Sequence, residues 1–472
     1  MTRVVIVGGG ISGLAAAYRL RTLAPEVQVT LIEREARLGG KILTERAGGF
    51  VIEAGADCFL SRKPRGIALC EELGVTERLQ GRDPAHARTF VRSGGALHPL
   101  PEGLTGMVPT NLEALAQSTL ISPEGQARLA EETELPPAPG DEDESVAGFV
   151  TRRVGREVFE RLVEPLMGGI YAGDAAQLSL ASTFPQLRQL EHKHGSLLRG
   201  LVAAQAQSDD ANASGYPPFI SFRSGMEELV ELLLTELDEV KILTGHTVGQ
   251  LGTTESGYQV TLTDGSRHEA DALILTTPAF VTARLVAPLD EALAAAHQAI
   301  PYASVATLSV AYRDPSVAAR FDGYGYVIPT MEGTEVLACT WSSNKWAGRA
   351  PDGAALIRVY LGRYGGRNVL AESDDTLLAM ALEEIERTLD ISEPPDQHWL
   401  YRWPEAMPQY TLGHPERLAL IEQRLAAHPG LFVAGAAYRG VGIPDCILSG
   451  EQAARAALAH VEPNFVTKER SL

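Results

Sequence analysis

Three glycines, Gly8, Gly10 and Gly13, stand as G-x-G-x-x-G between a short apolar run at residues 3–7 and an alanine-rich stretch at residues 12–23. Twenty positions after Gly13, at the end of a second β-branched run, comes Glu33. Types and spacing together suit the binding of a dinucleotide. The glycines allow a tight turn, close approach of backbone to a pyrophosphate, and close packing of helix on strand. The helix that follows offers about half a positive charge and unpaired amides to that anion, and the acid takes ribose hydroxyls. The elements that must position these residues are therefore a strand, a glycine turn, a helix and a second parallel strand.

The next residues bear on which dinucleotide is held. "REARLGGKILT" puts Arg37, Gly39 and Gly40 directly after the second strand; its glycines let backbone approach a cofactor, and this double-glycine element with Arg resembles that of two-motif FAD-binding oxidoreductases. Near the other end, "VAGAAYRGVGIPDCILSGEQAARAAL" predicts a strand, a glycine loop and a helix starting near Asp445. Such a helix end can face a flavin pyrimidine and stabilise the negative charge gathered there on reduction. "GRYGGR" at 362–367 and "GQLG" at 249–252 lack the strand, acid and helix, so the sequence offers one dinucleotide site and none for NADPH.

At 472 residues the chain is long enough for about three structural units. With 45% hydrophobic and 21% charged residues it reads as globular. The net charge of −19 gives no footprint for nucleic acid, so an anionic substrate needs a local basic cluster. Cys58, Cys70, Cys339 and Cys446 show neither metal spacing nor a disulfide framework and read as buried thiols of a cytoplasmic protein. No secretory leader and no run of about 18 apolar residues is expected.

Residues 65–205 read as mainly helical, interrupted by "TELPPAPGDEDES" at 133–145, which is expected to be a solvated spacer, as is 207–218. Residues 241–277 read as strands, with a hairpin at Asp264-Gly265. A further β-rich block at 305–364 predicts a separate sheet. The expected fold class is α/β. Residues 1–64, 219–290 and 401–472 make a Rossmann-like FAD-binding domain, 65–205 a helical domain, and 291–400 a substrate-binding β-rich domain.

Several longer stretches then carry a resemblance. "GGFVIEAGADCFLSRKP", "LVEPLMGGIYAGDAAQLSLASTFPQL", "EHKHGSLLRGL", "ACTWSSNKW", "RWPEAMPQYTLGH" and "YRGVGIPDCILSG" together resemble the oxygen-dependent porphyrinogen oxidases of haem synthesis. These belong among the amine-oxidase-like flavoproteins, and the likeness is closer to Gram-positive-type coproporphyrinogen III oxidases than to mitochondrial protoporphyrinogen oxidases. The resemblance implies FAD contacts from Gly8, Gly9, Gly10, Ile11, Ser12, Gly13, Glu33, Arg34 and Lys41. It implies further contacts from Gly55, Ala56, Asp57, Cys58, Val248, Trp403, Ile443, Pro444 and Asp445. Relatives often have a small polar residue in place of Cys58, which leaves backbone contact there. The implied reaction removes six electrons from a porphyrinogen in three rounds of hydride transfer to flavin, with dioxygen reduced to peroxide.

A flat macrocycle with propionates asks for apolar walls and a few cationic anchors. Arg62, Lys63 and Arg65 are the candidates after the cofactor segment, with His192, Lys193, His194 and Arg199 further on, and Tyr171 and Tyr360 as wall residues or donors. His192 and His194 are two apart, which puts them on one face of a strand but not of a helix; a metal is not expected. Coproporphyrinogen has four propionates and protoporphyrinogen two. Three other readings stay open: the second of these substrates, an amine-oxidase-like flavoenzyme, and a flavin-holding partner of haem synthesis without turnover. So do peripheral membrane contact and handover to a downstream chelatase.

Overall fold

A computed structural model describes residues 2–105, 107–140, 142–210 and 215–462, without the side chains of 207–210. The opening run forms the strand Arg3–Val7, and Val4, Val5, Ile6 and Val7 are all buried, as a strand covered on both faces requires. It is the centre of a five-stranded parallel sheet. On one side lie Gln28–Ile32 and Lys241–Leu243, on the other Ala272–Leu275 and Leu431–Val433. The helices Ile11–Leu23 and Ile443–Val461 pack together on one face. The meander Val248–Thr253, Tyr258–Leu262 and Arg267–Ala270 packs on the other, its last two strands joined through Asp264-Gly265 as the sequence predicts.

A second sheet has seven strands, in the order Gln397–Pro408, Tyr302–Tyr312, Ala355–Leu361, Val336–Trp341, Gly325–Val327, Thr89–Ser93, Ala96–Pro99. Its composition corrects two sequence expectations. Residues 79–109, read as helical, contain strands, and two of them extend this sheet. The signal was the pair Gly94-Gly95, both at positive φ, in a two-residue turn between Thr89–Ser93 and Ala96–Pro99. The strand Gln397–Pro408 crosses the boundary expected at 400, so the chain re-enters the cofactor region from an edge strand of the β-rich unit.

The helical unit spans 112–210 and is held by a buried carboxylate. Glu132 accepts from Ser196 Oγ, from the amides of Leu197 (2.7 Å) and Leu198 (3.1 Å), and from Arg153. It thereby satisfies the start of the helix Leu197–Asp210. The acidic loop is less free than expected. Glu144 pairs with Arg152 (2.7 Å) and Arg188 (2.8 Å), and Asp143 accepts the amide of Ala181, because two arginines on neighbouring helices reach it. Asp141 and residues 211–214 lie outside the described residues, while the helix Leu197–Asp210 runs into the second expected spacer.

Candidate functional site

The glycine turn is built from three different constraints. Gly8 adopts φ +108°, where a side chain is strained, and donates to Ile32 O at 2.8 Å. A Cβ on Gly13 would lie 2.0 Å from Gly8 O, so the third glycine serves the contact of helix with strand. A Cβ on Gly10 would meet no protein atom within 4 Å. Its open side faces whatever lies at the N-terminus of Ile11–Leu23, a helix that no side chain caps and whose first-turn amides lack intrahelical acceptors. Ile11 is half-buried and Ser12 buried. Glu33 folds towards this loop, accepting from Gly9 N (2.6 Å) and Glu35 N (2.9 Å), while Arg34 is exposed and pairs with Glu35. An anionic diphosphate with a ribose next to Glu33 fits these donors.

Around this loop the chain folds in from distant places. Gly39 and Gly40 have positive φ and are braced by Arg37, which donates to the carbonyls of Leu38, Gly40 and Ile42. Arg37 is thus an internal brace of the loop. Lys41, whose side chain is exposed, donates to Ala406 O, and desolvation by the protein around it brings its ammonium down to about 8. Ala54 O accepts from Thr307 Oγ1 (2.8 Å), Trp403 Nε1 (2.9 Å) and Arg358 (3.1 Å), and Arg358 also reaches Gly55 O. A Cβ on Gly55 would strike Lys41 O. Ala56 packs against the core beneath the helix Ile11–Leu23, and Val248 against the meander side of the sheet.

Asp57 is the electrostatic centre of this segment. Lys345 Nζ lies 2.6 Å and Trp346 Nε1 3.1 Å from its Oδ2. Burial opposes its ionisation, but the charges of Lys345 and Arg358 outweigh it and hold the carboxyl well below the usual range. The same burial, with Asp57 adjacent, raises the Cys58 thiol and keeps it protonated. Sequence reading missed Lys345, Arg358 and Thr307. Lys345 stands in the quoted "ACTWSSNKW", but nothing in linear order joins it to a carboxylate 288 residues away.

The final helix begins at Ile443, with Pro444 in its first turn; Asp445 accepts from Gly442 N and pairs with Lys63. Of the proposed basic anchors, Arg65 is consumed by Glu72 (2.8 Å) and Glu451 (2.5 Å), and Arg62 is exposed without a partner among the described residues. His192, Lys193 and His194 form the last turn of the helix Pro185–His194, so the two histidines do not share a face, and Arg199 reaches Glu134. No cluster of metal-ligating side chains occurs among the described residues. Tyr171 is packed against Phe184 and Tyr410. Tyr360 lies deep beneath the Arg358 guanidinium, 4.7 Å from its ring centroid. Burial raises both phenols.

The loop before the final helix is held by His414. Its Nε2 donates to Tyr438 O at 3.0 Å, and its ring stacks 4.3 Å from that of Tyr410, whose hydroxyl bonds Ala436 O and receives Gly440 N. Burial brings the imidazole down to about 4. The unfolded chain therefore binds the extra proton between about pH 6.5 and 4, and stability falls as pH falls through that window. Thermal melts are expected to show up to about 3 kcal/mol lost there, and His414→Gln to show less of it. An unchanged pH profile in the variant assigns the loss elsewhere.

A model of the family of flavin-containing amine oxidoreductases matches residues 11–458. The chain belongs to that family. This flavin-containing amine oxidoreductase takes FAD, consistent with the open side of Gly10 and the uncapped helix behind it. Coproporphyrinogen III oxidase of Bacillus subtilis (strain 168) is 37% identical over 97% of this chain and 98% of its own. Protoporphyrinogen oxidase 1, chloroplastic, of Arabidopsis thaliana is 31% identical over 94% of this chain and 86% of its own. A crystal structure from Exiguobacterium sp. 255-15 superposes with a TM-score of 0.86 at 32% identity, covering 96% of this chain and 98% of its own.

Proposed function

We propose that this flavoenzyme oxidises coproporphyrinogen III to coproporphyrin III in haem synthesis, with dioxygen as final acceptor. The observation that carries this reading is the near-full-length match to coproporphyrinogen III oxidase. Six hydrogens leave the macrocycle as three hydrides and three protons, and three dioxygen molecules become three of hydrogen peroxide. FAD supplies the two-electron acceptor for each round. The chain supplies position and a dry, charged frame. The glycine turn and Glu33 hold the diphosphate and ribose. Residues 54–58, pinned by Thr307, Arg358 and Trp403, hold the ring system, and the first turn of the helix Ile443–Val461 offers it partial positive charge. Tyr171 and Tyr360, raised by burial, stay protonated at neutral pH and do not act as bases.

The same reading has the enzyme in the cytoplasm, its product consumed by a metal-inserting chelatase, and any membrane contact peripheral. No helix among the described residues is long and apolar enough to cross a membrane. The Arabidopsis relative favours a second reading, protoporphyrinogen as substrate. Catalytic efficiency on the two porphyrinogens under air, with porphyrin fluorescence and peroxide as readouts, separates them. Coproporphyrinogen is expected to be favoured by roughly tenfold or more. A preference for protoporphyrinogen supports the second reading, and turnover of amines without porphyrin formation rejects both.

A further inference from the structure

Arg82 follows the strand Leu79–Gly81 and is held by two aromatic rings. Its guanidinium carbon lies 4.4 Å from the ring centroid of Phe219 and 4.6 Å from that of Tyr324. Both rings are themselves fixed. Phe219 pairs with Leu60 in a three-stranded sheet, and the Tyr324 hydroxyl donates to Asp83 O at 2.7 Å. Among the described residues, Arg82 makes no hydrogen bond or ion pair. The arginines nearest the cofactor segment differ: Arg358 bonds two carbonyls, Arg349 is 3.0 Å from Glu53, and Arg65 is doubly paired. The Arg82 side chain is half-buried, and its charge acts on the Cys58 thiol. The amide of the next residue, Asp83, bonds Lys345 O at 3.0 Å. An oriented guanidinium without an anion thus stands beside the segment 54–58.

Resting on the porphyrinogen reading, we propose that Arg82 is a specificity-determining anchor that receives a propionate carboxylate of the substrate. The two rings hold the guanidinium without using its N–H donors, and a planar fork of such donors takes both oxygens of a carboxylate. The clamp also lowers the entropy lost on binding, since the guanidinium is already oriented.

The test uses the flavin-loaded enzyme and an unreactive probe, coproporphyrin III, beside its tetramethyl ester, with dissociation constants read from porphyrin fluorescence. Arg82→Gln is expected to bind the free acid roughly ten- to a hundredfold more weakly, with the ester bound as in wild type and flavin content unchanged. Arg82→Lys, which keeps the charge without the fork, should restore part of the affinity. Equal binding of the acid by wild type and Arg82→Gln overturns the anchor while leaving the porphyrinogen reading standing. So does equal loss of acid and ester, which marks a packing role. Wild-type enzyme that binds neither compound and oxidises no porphyrinogen overturns the reading and the anchor with it.

Discussion

Gly10→Val is expected to yield a folded protein without the yellow of bound flavin. The backbone at Gly10 is extended, at φ −73° and ψ 178°, which any residue adopts, and an added Cβ meets no protein atom within 4 Å. The side chain instead enters the space at the uncapped helix start, where the pyrophosphate has to approach the amides. FAD affinity should fall roughly a hundredfold, or about 2.7 kcal/mol, while the flavin-free proteins melt alike. Gly13→Ala provides the contrast, because its Cβ would come within 2.0 Å of Gly8 O and disturb the fold itself. Absorbance of the purified protein against its concentration, and melts of both flavin-free forms, check this. A Gly10→Val product with full flavin content would remove the diphosphate from this turn.

Lys345→Met is expected to cost about 2–3 kcal/mol of stability, because it leaves the half-buried carboxylate of Asp57 without its nearest cation. In the native protein that carboxyl ionises well below the usual range, so its contribution is complete above the ordinary carboxylate range. It is lost only as pH falls through the lowered folded value. Removing Lys345 raises the folded value and moves the loss to higher pH. Asp57→Asn added to Lys345→Met should recover much of the difference, since no charge is then stranded. Denaturant unfolding of the two single variants and the double variant across pH measures the coupling. Strict additivity would show that the pair does not act as a unit.

What the sequence made legible is the part written in local order. The strand, glycine turn, helix and Glu33 lie within about thirty residues, and their spacing alone predicts the parallel sheet and its ligand class. The hairpin at Asp264-Gly265 and the closing strand and helix were readable for the same reason. The strands at 79–109 were not read, although Gly94-Gly95 marks the turn, because apolar and charged residues there alternate too briefly to outweigh the helical pattern downstream. The anchor candidates show the other limit. "SRKPRG" displays three cations in a row, yet Arg65 faces two glutamates and Lys63 faces Asp445, and only the fold brings those acids near. Arg82, with one charge in an unremarked loop, gave no linear sign of its clamp.

The two helices that flank the glycine turn come from opposite ends of the chain, and they touch closely: a Cβ on Gly450 would lie 2.1 Å from Ser12 O. During synthesis the first βαβ unit leaves the ribosome long before its partner helix exists. The turn is complete only once residues 443–461 have packed on the first helix, so a chain cut before Ile443 is expected to lose the cofactor site along with the helix.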